Sequence, residues 1–188
     1  MTNTVDNQTP PAEEKKRGFG KYLVLIVALA FAGLLGYGLL TAGDDRVEAG
    51  KAPDFSLTSF DGEQYRLSDL EGKAVVVNFW ATWCISCKDE ATELELAWQD
   101  FKDQDVVFLG VDYLDQKPLN LEWMDRYGIT YPNGDDIQGR IYNSYGVQGL
   151  PETFVINRQG EISKVFVGAV TQEQLSAAIR AALADGAS

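Results

Sequence analysis

The stretch Ala74-Val75-Val76-Val77-Asn78-Phe79-Trp80 constrains the fold of this chain most. β-Branched and aromatic side chains follow one another with almost no polar alternation, which marks a central strand buried on both faces. Directly after it, Trp83-Cys84-Ile85-Ser86-Cys87 leads into a long amphipathic segment. There Ala91, Leu94, Trp98 and Phe101 recur at helical spacing beside Asp89, Glu93, Glu95 and Asp100, so the cysteines stand where a buried strand gives way to a helix.

Cys84 and Cys87 are the only cysteines of the 188 residues. With Cys84 at the N-cap, both sulfurs fall on the first helical turn, where side chains three apart are neighbours within disulfide reach. The positive end of the helix macrodipole favours thiolate over thiol there, and the thiolate is the nucleophile of disulfide exchange. A purely structural bond is the alternative. Closing a loop of about four residues removes only about 2 kcal/mol of unfolded-state entropy, against about 4.7 for a hundred-residue loop, so a stabilising staple would span more chain. A closed zinc site needs about four Cys, His or carboxylate ligands. The chain has no histidine and no second cysteine pair. The pair points to redox chemistry carried by the thiols, with no metal and no cofactor.

The rest of the chain supplies a frame for that junction. Pro53 to Phe60 alternates apolar and polar residues, Asp61-Gly62 is a hairpin signal, and Gln64 to Leu67 returns. Ser68 to Gly72 reads as a turn, and Asp105 to Asp112 as a second buried strand. Helices are expected over Pro118 to Tyr127, closing at Gly128, and over Ile137 to Tyr145, closing at Gly146. Between them, Tyr131 to Asp136 has room for a short strand, against which Asn133-Gly134 reads as a turn. Thr153 to Ile156 and Ser163 to Val167 flank a turn at Arg158-Gln159-Gly160, and Thr171 caps a last helix through Leu183 with Glu173 near its start. Strands alternating with helices, closed by a hairpin and a helix, predict an α/β fold with a mixed sheet.

Charge divides the chain. Residues 1–40 carry a net +1 and the remainder −13, within a total of −12. An acidic surface of that size repels phosphate backbones, which excludes nucleic acid as a partner class. Residues 1–14 are polar and aperiodic, the pattern of a disordered tail. Lys15-Lys16-Arg17 and Lys21 then precede Tyr22 to Leu40, nineteen residues without a charge. As a helix these would be roughly 28 Å long, close to the hydrocarbon thickness of a bilayer. Basic residues before the run and Asp44-Asp45 after it predict a cytoplasmic N-terminus with the rest outside. A signal peptide cleaved after Thr41-Ala42-Gly43 is the alternative, although its apolar core would exceed the usual length of about 7–15 residues. The expected organisation is a tail at 1–20, an anchor at 21–43, a linker at 44–51, a folded domain at 52–184 and a tail at 185–188. Outside the cytoplasm disulfides persist, so thiol exchange has substrates there.

Two segments and the anchor then coincide: Asn78-Phe79-Trp80-Ala81-Thr82-Trp83-Cys84-Ile85-Ser86-Cys87, and Val147-Gln148-Gly149-Leu150-Pro151-Glu152-Thr153-Phe154. Over roughly residues 52–184 the chain resembles the thioredoxin-like TlpA/ResA/CcmG (DsbE) family of membrane-tethered thiol–disulfide oxidoreductases. The resemblance implies a thioredoxin fold whose mixed sheet is flanked by helices, with an added N-terminal β-hairpin and a strand–helix insertion at about Asp112 to Asp136. It implies that Cys84 is the exposed attacking cysteine and Cys87 the buried resolving one, paired as a redox disulfide. Leu150-Pro151 would be a cis peptide facing that disulfide, and Trp83, Leu150, Pro151 and Glu152 would line the substrate side. Glu90 matches a glutamate that assists proton transfer in the family, its alternative being an ordinary helix acid. Glu152, directly after the proline, is similar to the cytochrome-maturation branch, where it would steer substrate choice; its alternative is a solvated loop acid. Asn78 occupies the place of thioredoxin's buried aspartate, which implies that this carboxylate's proton role is absent. Two departures stand out: Ser86 where the family has proline, and Thr92 where proline is common.

The function so implied is a membrane-anchored, extracytoplasmic enzyme that reduces disulfides of exported proteins, apocytochrome c among them. A membrane thiol reductant of the DsbD/CcdA type would supply its electrons. Ser86 leaves the reverse direction open, that of a disulfide donor. Two soft thiolates would suit a Cu(I) metallochaperone, but relatives of that kind use a wider cysteine spacing and a histidine. A non-catalytic peptide-binding module has no need of paired thiols. A peroxidase of the peroxiredoxin type would want a threonine three residues before Cys84, where Ala81 stands.

Overall fold

The computed structural model describes residues 19–41, 46–115 and 117–185. Residues 1–18 of the expected tail at 1–20, residues 186–188 of that at 185–188, and the cleavage site after Gly43 lie outside the described residues. Two compact units emerge, residues 1–43 and 44–188. The first contains helix α1, Phe19–Thr41, whose side chains are described over 22–37. Among the described residues, no helix is long and apolar enough to cross a membrane.

The second unit is built on a six-stranded mixed sheet among these residues, in the order β1-β8-β7-β4-β5-β6. Its strands are β1 (Gly50–Lys51), β4 (Ala74–Trp80), β5 (Val106–Tyr113), β6 (Asn133–Asp136), β7 (Glu152–Ile156) and β8 (Glu161–Val167). A separate hairpin joins β2 (Ser56–Thr58) to β3 (Gln64–Arg66). Strand β4 runs parallel to β5 and antiparallel to β7, and all seven of its residues are buried, as its apolar run requires. Helices α2 (Ile85–Phe101), α3 (Lys117–Tyr127), α4 (Arg140–Ser144) and α5 (Gln172–Ala184) complete the domain.

The core lies on both sides of this sheet. Ala74, Val76 and Trp80 join Ala91, Leu94, Phe108 and Leu175 on one side, while Val75, Val77 and Phe79 join Phe55, Leu57, Tyr145 and Phe154 on the other. Side chains alternate along a strand, so Asn78 faces the first cluster with Val76 and Trp80. The face of β4 that packs against α2 therefore carries one polar side chain, Asn78.

Two elements differ from the sequence-based expectation, helix α4 and residues 46–51, whereas the short strand that Tyr131 to Asp136 had room for forms as β6, with Asn133-Gly134 inside it beside the hairpin backbone. A Cβ at Gly134 would collide with the Thr58 carbonyl oxygen, and Ser59 bridges to Gly134. Helix α4 is shorter than the expected 137–145, since Gly139 takes a left-handed φ of 62° and Asp136 caps the following turn, accepting the N–H groups of Arg140 and Tyr142 at 2.9 Å each. Residues 46–51, expected as linker, are packed on the domain: Val47 donates to the Tyr145 carbonyl at 3.1 Å, and β1 pairs with β8.

Candidate active site

Cys84 is the N-cap of α2, with an extended backbone, and its sulfur accepts the N–H of Cys87 at 3.1 Å. Cys84 and Cys87 form a disulfide with Cα atoms 5.3 Å apart. A sulfur that caps a helix sits where backbone N–H groups and the macrodipole converge, so its thiolate is stabilised once the bond opens. Cys84 is 6% exposed and Cys87 1%. Cys84, expected to be exposed, is therefore itself buried and is only slightly the more accessible of the two sulfurs. Its neighbours are open: Trp83 is 59% exposed and Ile85 77%.

The opposing wall comes from β7. Glu152 pairs with Phe79 in the antiparallel register, so Pro151 stands at the end of β4 that feeds the cysteine loop. The Leu150-Pro151 peptide is cis. Leu150 packs against the apolar cluster containing both cysteines, and the Pro151 carbonyl accepts the Gly168 N–H at 2.9 Å. Trp83, Leu150 and Pro151 are thus brought to the same end of the sheet as the disulfide. Glu152 starts that wall but does not face solvent.

Glu90 lies one helical turn beyond Cys87 on the same face of α2, a spacing at which side chains are neighbours. It is 1% exposed, which removes the reading of an ordinary helix acid. Its Oε1 accepts Asn78 Nδ2 at 2.8 Å and its Oε2 accepts the Val170 N–H at 3.1 Å. Asn78 Nδ2 also donates to Thr153 Oγ1 at 2.9 Å, which ties the helix to β4 and β7. Burial pushes the Glu90 carboxyl up to about 7, against the opposing pull of the Asn78 and Val170 hydrogen bonds. On this face the strand offers Asn78, and the helix reaches it with the carboxylate of Glu90.

Glu152 is equally buried but differently served. Arg46 forms a two-pronged pair with it, Nε to Oε2 at 2.8 Å and Nη2 to Oε1 at 2.9 Å, and Oε1 also accepts the Gln148 N–H at 3.1 Å. The side chains are 8% and 1% exposed. Glu152 is not the solvated loop acid of the alternative reading.

The sequence singled out neither Arg46 nor a second group of acids. Asp115 accepts both the backbone N–H and the hydroxyl of Thr82, at 2.6 and 2.7 Å, and so fixes the turn that carries Trp83. Asp112, opposite Trp80 in the sheet register, is fully buried and accepts Asn120 Nδ2 at 2.7 Å. Burial raises its carboxyl to about 7. Asp112 stood out only as the polar end of an apolar strand. Arg46 carried no local signal, because its partner lies 106 residues away. Among the described residues no cluster of three or more His, Cys, Asp or Glu is arranged to hold a metal ion.

Comparison with known proteins accords with this geometry. The sequence pattern of the AhpC/TSA family matches residues 49–165. The thiol-disulfide oxidoreductase ResA of Bacillus subtilis (strain 168) is 34% identical over 164 residues, covering 87% of this chain and 92% of the relative. A thiol:disulfide interchange protein of the thioredoxin family from Chlorobium tepidum TLS superposes with a TM-score of 0.65 at 30% identity, covering 72% of this chain and 97% of that one. A secreted Mycobacterium tuberculosis disulfide oxidoreductase homologous to E. coli DsbE superposes with a TM-score of 0.61 at 25% identity, covering 68% and 95%. The fold, the helix-capping disulfide and these similarities agree: the chain belongs to the AhpC/TSA family and is a thioredoxin-like thiol–disulfide oxidoreductase related to ResA.

Proposed function

We propose, from the sequence run Tyr22 to Leu40, that the enzyme is membrane-anchored with its thioredoxin-like domain outside the cytoplasm, and that it reduces disulfides of exported proteins in a cytochrome c maturation-type role. The observation that carries the reading is the Cys84–Cys87 disulfide capping α2 at the sheet end occupied by the cis Leu150-Pro151 peptide. The anchor rests on the uncharged run Tyr22 to Leu40 and the basic residues before it. The compartment rests on that polarity and on the relation to a secreted DsbE homologue.

In the reduced enzyme the Cys84 thiolate attacks one sulfur of a substrate disulfide, forming a mixed disulfide and expelling the other sulfur as a thiolate. Cys87 then attacks Cys84, closes the intramolecular bond and releases the second substrate thiol. Two electrons leave the protein with the substrate. Cys87 is the more buried sulfur, so its deprotonation needs a local acceptor, and Glu90 with a carboxyl near 7 is matched to that task. The extended substrate chain lies along Leu150-Pro151 and against Trp83, where proline leaves the neighbouring backbone free to pair with it. A membrane thiol reductant of the DsbD/CcdA type, acting outside the cytoplasm, restores the dithiol.

Insulin disulfide reduction by the full-length protein tests this. Cys84→Ser abolishes it, and undiminished activity in that variant sinks the reading. Equilibration with glutathione tests the direction, for which exposed Ser86 in place of proline is the open variable. A potential well below that of the extracellular glutathione pool supports reduction. One well above it assigns the enzyme to disulfide donation.

A further inference from the structure

We infer that Arg46 is a positioning residue for the substrate-facing loop, holding Gln148 to Pro151 in place through the buried carboxylate of Glu152. The inference rests on the proposed reading that this loop receives the substrate chain. Two successive residues hold the two ends of the run from Tyr145 to Glu152. Val47 donates its N–H to the Tyr145 carbonyl at 3.1 Å. Arg46 grips Glu152 with Nε and Nη2 at 2.8 and 2.9 Å, and its Nη1 lies 3.7 Å from the exposed Glu48. Glu152 Oε1 in turn accepts the Gln148 N–H at 3.1 Å, so the carboxylate spans from the arginine to the start of the loop.

The chemistry explains the residue types. A guanidinium presents parallel N–H groups that match both carboxylate oxygens, whereas an ammonium offers a point charge and no fork. The fork fixes the orientation of the carboxylate plane, and that plane fixes where the Gln148 N–H points. Glu152 pairs with Phe79 across β4 and β7, so it is also tied to the strand that feeds the cysteine loop. The sheet thereby sets the distance between the loop and the disulfide, and Arg46 sets the loop's orientation. Glu152 is an internal strut rather than a contact with substrate.

Two variants of the full-length protein and two readouts test this. Arg46→Met combined with Glu152→Met removes both charges together, leaving no orphaned ion to unfold the domain. Arg46→Lys keeps the charge and loses the fork. In the double variant, exchange of the Gln148 amide hydrogen accelerates by about tenfold or more. The KM for insulin rises about tenfold while kcat changes less than about twofold, the split expected when binding geometry rather than chemistry is lost. Arg46→Lys raises KM by about threefold. If the double variant does not fold, Arg46→Lys decides by the same two readouts. Unchanged exchange at Gln148 overturns the strut, and faster exchange with an unchanged KM overturns its positioning role. Failure of the unmodified protein to reduce insulin removes the functional reading alone, since exchange at Gln148 still decides the strut.

Discussion

Glu90 and Glu152 occupy opposite faces of one sheet. Glu90 reaches Asn78 on the side packed by α2, and Glu152, beside Phe79, belongs to the other side. Both are withdrawn from water, yet Glu152 meets the guanidinium of Arg46 while Glu90 meets only the neutral donors Asn78 and Val170. A buried carboxylate gripped by a guanidinium fork serves as a fixed joint. One with two neutral donors sits near the balance point between its protonated and ionised forms, at about 7. Burial raises the Glu90 carboxyl, and its two neutral hydrogen-bond donors bring no positive charge to set against that.

The comparison breaks most visibly when its joint loses one side. Arg46→Met strands the Glu152 charge in the interior and is expected to cost about 3–5 kcal/mol in urea unfolding, whereas Arg46→Met with Glu152→Met is near neutral. Equal stability of Arg46→Met and the unmodified protein would show that the pair is not buried in solution.

Glu90 makes a pH-dependent prediction of nearly that size. Its carboxyl lies above the ordinary value of 4.5 in the folded state, at about 7, so the folded protein binds more protons than the unfolded chain between those two pH values. Stability attributable to Glu90 is full below about pH 4.5, falls as pH rises toward 7, and stays reduced above it. At roughly 1.4 kcal/mol per unit, Glu90→Gln gains about 3 kcal/mol at pH 8 and almost nothing at pH 4. Asp112 has the same sign over a similar window, so the variant flattens the profile only partly. Urea unfolding at several pH values checks the sign, and a gain in Glu90→Gln that is independent of pH contradicts a Glu90 carboxyl raised by burial. In the oxidation half-reaction the same variant slows closure of the Cys84–Cys87 bond about tenfold to a hundredfold, measured by stopped-flow tryptophan fluorescence.

The smallest effect belongs to the cysteine loop's support. Asp115→Ala removes two short hydrogen bonds to Thr82 and is expected to cost about 1–3 kcal/mol. A thermal melt reads this loss, and no change in the melt would mean that Thr82 finds water as readily as Asp115.

Much of the frame was legible because its signals are local. The apolar run of β4 required burial on both faces, the alternation around Asp61-Gly62 required a hairpin, and Thr171 required a helix start. Cys84 as N-cap followed from the abrupt change of period after Trp80. Glu90 carried a readable sign as well, since three residues beyond Cys87 and four before Leu94 place it on the apolar stripe of α2. What remained hidden depends on distant chain. Asn133-Gly134 looks like a turn until the Thr58 carbonyl is laid against Gly134, where only glycine leaves room. Glu152 reads as a loop acid until Arg46, far away in sequence, arrives to neutralise it. The supposed linker concealed that arginine because no periodicity marks a residue that acts through one buried contact.

The central claim is that Cys84 attacks and Cys87 resolves, and trapping the mixed disulfide tests it most directly. Reduced Cys87→Ser and Cys84→Ser proteins are each mixed with oxidised insulin-type disulfide substrate, and the covalent adduct is weighed by intact mass spectrometry. The account predicts a persistent adduct through Cys84 in Cys87→Ser and little or none in Cys84→Ser. An adduct that forms as readily through Cys87 alone, or in neither variant, would contradict it.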